Sequence, residues 1–204
     1  MKNVCYLVIL LLFSVFVGLS GCNNNQTPDT ASTTDSLNTG FGGYDSQEKF
    51  GEHLVLIAGC HDCHTPKKMT PQGPEIDMAL ALSGHPSKMP APDVDRNEIE
   101  SKGLGVTQTL TAWVGPWGVS YAANLTSDAT GIGEWEENNF MTAIRKGKHK
   151  GVESERMILP PMPWQMISNM TDDELKAVFA YLKSTKPIQN IVPEPLPPLQ
   201  RSAN

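Results

Sequence analysis

Apolar residues along this chain follow a helical period in three places and crowd into one long run in a fourth. The run spans Val4 to Val17, interrupted only by Cys5, Tyr6 and Ser14, behind a basic Lys2. It is short for a membrane-spanning helix and has the build of a secretory signal segment. Residues 23 to about 45 are polar, rich in Ser, Thr and Gly and nearly free of aliphatics. Such a segment cannot offset its ordering entropy by burial, so it reads as a flexible tether. Helical periodicity begins near Ser46, a capable cap, with Phe50, Leu54, Ile57 and Ala58 at helical spacing. This first helix is expected to run straight into the residues that follow Gly59. Trp135, Phe140 and Ile144 predict a second helix, ending in Arg145-Lys146 and stopped by Gly147. The last is the clearest. Thr171 with Glu174 forms a capping box, Asp172 and Asp173 suit the positive helix start, and Leu175, Val178, Phe179 and Leu182 make one apolar stripe. Pro187 prevents continuation.

Between these helices, residues 66–112 are the least regular part. Gly73-Pro74, Gly84-His85-Pro86 and Met89-Pro90-Ala91-Pro92 mark it as a long loop region wrapped over something. The tail, Val192 to Pro198, reads as extended polyproline-like chain, either laid along the domain or reaching a partner. The organisation expected is a signal segment over residues 1–21, a tether over 22–45, one domain over 46–190 and an extended tail over 191–204. The formal charge of −6 makes nucleic acid a poor partner.

The 4 cysteines carry the chemistry. Cys60-His61-Asp62-Cys63-His64 is a C-x-x-C-H run, the pattern by which haem is attached covalently to protein. Two thiols three positions apart on a helical turn can each add to one vinyl group of a single porphyrin. His64 then sits where its imidazole reaches the iron as proximal ligand. A redox-active pair would want a βαβ pattern around it, and a structural zinc site would want a second ligand pair. Neither is visible. Leu19-Ser20-Gly21-Cys22 resembles the lipobox of bacterial lipoproteins, in which the signal is cut before the cysteine and the thiol takes lipid. The alternative is an uncleaved membrane anchor; both readings export the protein and tether it at a membrane. Cys5 then leaves with the signal, Cys22 takes lipid, and Cys60 and Cys63 take haem, which leaves no thiol for a structural disulfide.

Gly59 to Thr65 after an amphipathic helix resembles class I c-type cytochromes. The likeness continues in Asn124-Leu125-Thr126, Thr130-Gly131-Ile132-Gly133, Trp135, Pro161-Met162-Pro163-Trp164 and Met170 to Leu175, over roughly residues 48–198. Together these are similar to the single-haem cytochromes related to the cytochrome subunits of membrane-bound alcohol and aldehyde dehydrogenases. The resemblance implies an all-α cytochrome c fold around one haem c, with the first and last helices crossing and Gly51 allowing close approach. It implies Met162 as sixth ligand, on a proline-stiffened loop, ahead of Met157, Met166 and Met170; a generic Met is otherwise core filler. It also implies that a proline after the motif offers its carbonyl to His64, with Pro74 the candidate and Pro66 the rival.

Several residues keep two readings. His85 is a turn histidine or an iron ligand, and His53 reads as a surface residue. Trp113, Trp117 and Tyr121 either pack against the porphyrin edge or donate to a buried propionate. Asn124 donates to a propionate or ties loops. Arg145, Lys146, Lys148, His149 and Lys150 are a solvated cluster at a helix C-terminus or a docking patch for an acidic partner. The function expected is one-electron transfer outside the cytoplasmic membrane. The chain would accept from a dehydrogenase or quinol-oxidising complex and pass the electron to an oxidase or another cytochrome. The alternative is a haem enzyme, peroxidase-like, or a gas sensor with an open sixth position, for which His85 or His149 would supply a distal acid or base.

Overall fold

Local capping chemistry starts the first ordered element. In the computed structural model, which describes residues 40–200, Ser46 Oγ accepts from Lys49 N at 3.2 Å and opens helix α1, Gln47–Ile57. The signal segment, Cys22 and most of the tether lie outside the described residues. Helix α1 buries Gly51, Leu54 and Val55, while Ile57 is 63% exposed. The expected stripe is therefore out of phase at its end: the helix stops before Ile57 completes a further turn on the buried face. Nor does α1 run straight on. Gly59 takes a left-handed φ of 67°, which breaks the axis and starts a separate helix α2, Cys60–His64.

The region expected to be irregular carries a hairpin and a helix, and a second hairpin follows it, so the fold is helix-rich but not clearly all-α. Strands β1, Lys67–Thr70, and β2, Gly73–Ile76, pair antiparallel around Pro71-Gln72. Helix α3, Arg96–Lys102, is capped by Asp95, whose carboxylate accepts from Asn97 N at 2.9 Å, and ends at left-handed Gly103. Strands β3, Ala112–Gly115, and β4, Gly118–Tyr121, pair around Pro116-Trp117. Each turn has a proline whose fixed φ suits its first central position. The second hairpin is widened on both edges, by Val106 against Val114 and by Leu196 against Val119. The extended tail thus lies along the domain as far as Leu199. There Arg96 donates to the Pro197 carbonyl at 2.6 Å, and Leu199 N donates to the Glu100 carboxylate at 2.7 Å.

Helix α4, Glu137–Lys146, begins later than expected: Trp135 precedes it and packs onto the core from outside the helix. A short helix α5, Trp164–Ile167, leads to α6, Asp172–Ser184, whose capping box is formed by Thr171 and Glu174. The core lies where α1, α4 and α6 meet, around Leu54, Val55, Phe140, Ile144, Leu175, Val178 and Leu182. Phe140 and Phe179 stack with ring centroids 5.4 Å apart. At the crossing of α1 and α6, a Cβ on Gly51 would overlap the Ala177 carbonyl, so only glycine lets the backbones come this close. Among the described residues, no helix is long and apolar enough to cross a membrane.

Candidate haem-attachment site

Helix α2 is one turn of chain whose ends are tied by its neighbours. Lys67 Nζ donates to the carbonyls of Asp62 and Thr65, at 2.5 and 2.7 Å. A cation there complements the negative helix end. Cys60 packs against the core, and burial pushes its thiol up to about 11; burial also raises the Cys63 thiol. Both sulfurs therefore stay uncharged at neutral pH. Redox cysteines and zinc thiolates want the opposite shift, whereas a thioether carries no charge and suits burial. The two sulfurs fit the covalent attachment of haem.

His64 completes the fit. Its ring is buried, and burial holds its pKa below the usual value, against the opposing pull of its hydrogen bond. Nδ1–H donates to the Ala123 carbonyl at 2.8 Å, which leaves Nε2 with its lone pair and with no hydrogen-bond partner among the described residues. A neutral imidazole with one nitrogen fixed and the other open is what a metal ligand requires. The acceptor is neither Pro74 nor Pro66, and that expectation is corrected. Pro74 is committed to β2 opposite Met69, and the Pro66 carbonyl accepts from Asp77 N at 2.9 Å. The backbone that reaches His64 is 59 residues away in sequence because residues 82–85 stack between α2 and residues 122–125. Gly84 N donates to His64 O at 2.8 Å, His85 N to Ala122 O at 2.9 Å and Leu125 N to Leu82 O at 2.8 Å. A Cβ on Gly84 would stand 2.6 Å from Ala122 O, so the stack tolerates no side chain there.

His85 is 0% exposed, and both of its ring nitrogens are engaged: Nε2 with Met89 O at 2.8 Å and Nδ1 with Thr111 Oγ1 at 2.9 Å. It is a core histidine whose ring is tilted against Tyr121, the centroids 4.9 Å apart. Trp117 Nε1 donates to Ser120 Oγ at 3.0 Å, so the indole is committed within its own hairpin. Asn124 ties loops. Its amide donates to Thr130 Oγ1 and the Ile188 carbonyl, and its carbonyl accepts from Thr126 N at 2.9 Å. The basic cluster is largely consumed internally: Arg145 pairs with Asp172 at 2.5 Å, Lys146 with Glu153, and Lys148 donates to Glu155 O.

Met162 is half-buried and borders the same core as Cys60. Of its rivals, Met166 is 75% exposed and Met157 is exposed, while Met170 packs on the core. The loop around Met162 is fixed at three points. Ile158 N donates to Gly147 O at 2.7 Å, Ser120 Oγ donates to Pro160 O at 2.6 Å, and the Trp164 ring lies against Gly147. Pattern and periodicity give no sign of Ala123 or Ser120: one acts through a main-chain carbonyl, the other is one serine among many.

Two half-buried, uncharged sulfurs followed by a pre-set neutral imidazole define a covalent haem site of the c type. The family model for cytochrome c matches residues 49–186, and the chain belongs to that family. Membership of that family implies a covalently attached haem c, and Cys60 and Cys63 are the pair that fits it. The gluconate 2-dehydrogenase cytochrome c subunit of Pantoea cypripedii is 34% identical over 138 residues, covering 67% of this chain and 23% of that protein. The cytochrome c subunit of the quinone alcohol dehydrogenase of Gluconacetobacter polyoxogenes is 35% identical over 75 residues, 36% of this chain and 15% of that one. A nicotinate dehydrogenase subunit of Pseudomonas putida is 34% identical over 79 residues, 38% of this chain and 6% of that one. The matches thus span less than a quarter of each relative's length.

Proposed function

We propose that this chain is a membrane-tethered, single-haem carrier that takes electrons one at a time from a dehydrogenase or a quinol-oxidising complex. It would pass them to a terminal oxidase or another cytochrome. The observation that carries the reading is the His64 ring, locked by Ala123 through Nδ1 and open at Nε2. In this reading His64 and Met162 would be the side chains that hold the haem iron. The haem supplies the one-electron couple. His64 is held in one tautomer and so needs no proton movement to bind. The loop of Met162, stiffened by Pro160, Pro161 and Pro163, offers a weak soft thioether that favours the reduced state. The likeness to cytochrome subunits of dehydrogenases supports a dehydrogenase as partner, with this chain supplying one cytochrome domain. Engagement of both ring nitrogens of His85 removes one distal acid or base that a peroxidase-like reading would use.

The test is the absorption spectrum of the reduced holoprotein before and after carbon monoxide, with Met162→Ala beside it. A six-coordinate c-type spectrum unmoved by carbon monoxide, and a variant that binds it with a lowered potential, is the expected result. A wild-type protein that binds carbon monoxide promptly would overturn the carrier reading, and an unchanged Met162→Ala would overturn the ligand assignment. The anchor is proposed to be lipid on Cys22, after removal of residues 1–21, with the domain in the periplasm. Cys22→Ser should then release soluble protein, and persistent membrane association would sink the lipobox reading.

A further inference from the structure

The loop that bears Met162 cannot tie itself down. Of residues 160–163 only Met162 has a backbone N–H, because the other three are prolines. The Met162 carbonyl is taken by Trp164 N at 2.9 Å, and the Pro163 carbonyl by Met166 N at 3.0 Å. The Pro160 carbonyl, two residues before Met162, has one donor among the described residues: the hydroxyl of Ser120, at 2.6 Å. That hydroxyl belongs to β4, outside the helical framework, and is itself oriented by Trp117 Nε1 at 3.0 Å. A donor that also accepts is polarised toward its acceptor. Strand β4 is held on both sides, by β3 and by Leu196, so the donor stands on a fixed support. Ser120 itself is 5% exposed, so the donor side of the bond is buried in the hairpin.

We propose that Ser120 is a positioning residue for the sixth-ligand loop: by holding the Pro160 carbonyl it fixes where Met162 is delivered. The inference rests on the assignment of Met162 as ligand. Loss of the hydroxyl takes the present partner from the half-buried indole N–H and from the Pro160 carbonyl, which favours loop states in which Met162 has moved off.

The test uses the oxidised holoprotein, titrated with imidazole, together with its reduction potential and its iron–thioether charge-transfer band. One such hydrogen bond corresponds to about a tenfold rise in imidazole affinity for Ser120→Ala, with a lowered potential and a weakened band. Ser120→Thr keeps the hydroxyl and is expected within about twofold of the wild type. A folded Ser120→Ala with unchanged affinity and potential, even if less stable, would overturn the proposal, as would a Ser120→Thr that behaves like alanine. If the alanine variant yields no folded holoprotein, Ser120→Cys, of similar size and a weaker donor, carries the same readout: a raised affinity supports the tie and an unchanged one overturns it. Met162→Ala in the same titration separates the two ideas. If it fails to open the iron, the ligand assignment falls; if it opens the iron while Ser120→Ala does not, only the role of Ser120 falls.

Discussion

Gly51→Ala probes the contact on which the helical framework depends. Helix α1 leads through Gly59 to the haem cysteines, and its buried face crosses α6 at Gly51. An added Cβ would overlap the Ala177 carbonyl oxygen and lie 2.5 Å from the Ala177 carbonyl carbon and 2.8 Å from Tyr181 Cβ. Ordinary carbon contacts are about 3.5–4 Å, and the obstacle is main chain, which no rotamer change removes. The helices must therefore part by about 1 Å, loosening Leu54, Val55, Leu175 and Val178, all now buried. Alanine gains about 1 kcal/mol over glycine in a helix interior, and overpacking costs about 1–3 kcal/mol, more where backbone must move. With the cost set above that range and the gain subtracted, the expected net loss is about 2–3 kcal/mol. For a domain of this size that is roughly a 5–10 °C fall in Tm. Guanidinium and thermal unfolding of the holoprotein, followed by far-UV circular dichroism, measure it. A variant as stable as the wild type, or more stable, would mean that propensity acted unopposed and that α1 and α6 do not meet through this face.

Three further outcomes are expected. Burial holds the His85 pKa below its usual value, so as pH falls the unfolded chain takes up the proton first; this contribution to stability is complete above about pH 6.5 and drains away below it. His85→Gln should therefore flatten the loss of stability between about pH 7 and 5, and parallel pH profiles of wild type and variant would contradict this. Thr171→Ala removes the acceptor for Glu174 N and should cost about 1 kcal/mol in denaturant titration, whereas no loss would mean the box contributes nothing. Asn124→Ala leaves the Thr126 amide and the Ile188 carbonyl without their present partner and should cost about 3 kcal/mol, with faster amide exchange at Thr126; unchanged exchange there would refute the tie.

What the chain discloses unaided is what depends on neighbours in sequence. The box of Thr171 and Glu174, the cap at Ser46 and the stop at Gly147 each act within one turn, so residue type and spacing suffice to read them. The same holds for Cys60, Cys63 and His64, whose spacing answers to one porphyrin. The hairpins were harder. Their strands are four residues long, β1 carries two lysines, and Gly73-Pro74 looks like a turn although the turn lies two residues earlier, at Pro71-Gln72. The fate of His85 was not legible either, because its Thr111 partner lies 26 residues away and any buried histidine finds some partner. Ala123 left no mark at all, since a main-chain carbonyl has no side chain to signal its use.

The long excursion between the haem motif and α4 has a mechanical reading once its contacts are set side by side. Ala123 accepts from His64, and three residues earlier Ser120 donates to Pro160. On the ligand assignment proposed above, one short stretch of chain at the end of β4 would brace both ligands. That stretch is itself fixed by Leu196 on the β4 edge, by His85 N on Ala122 O, and by the Asn124 ties to residues 126, 130 and 188. Two ligands braced from separate loops could drift independently whenever either loop breathes. Braced from one rigid segment, they move together or not at all, and a carrier that must hold the same coordination in both oxidation states gains from that restraint. On that assignment, the hairpin of β3 and β4 is the part of the chain that relates the two ligands.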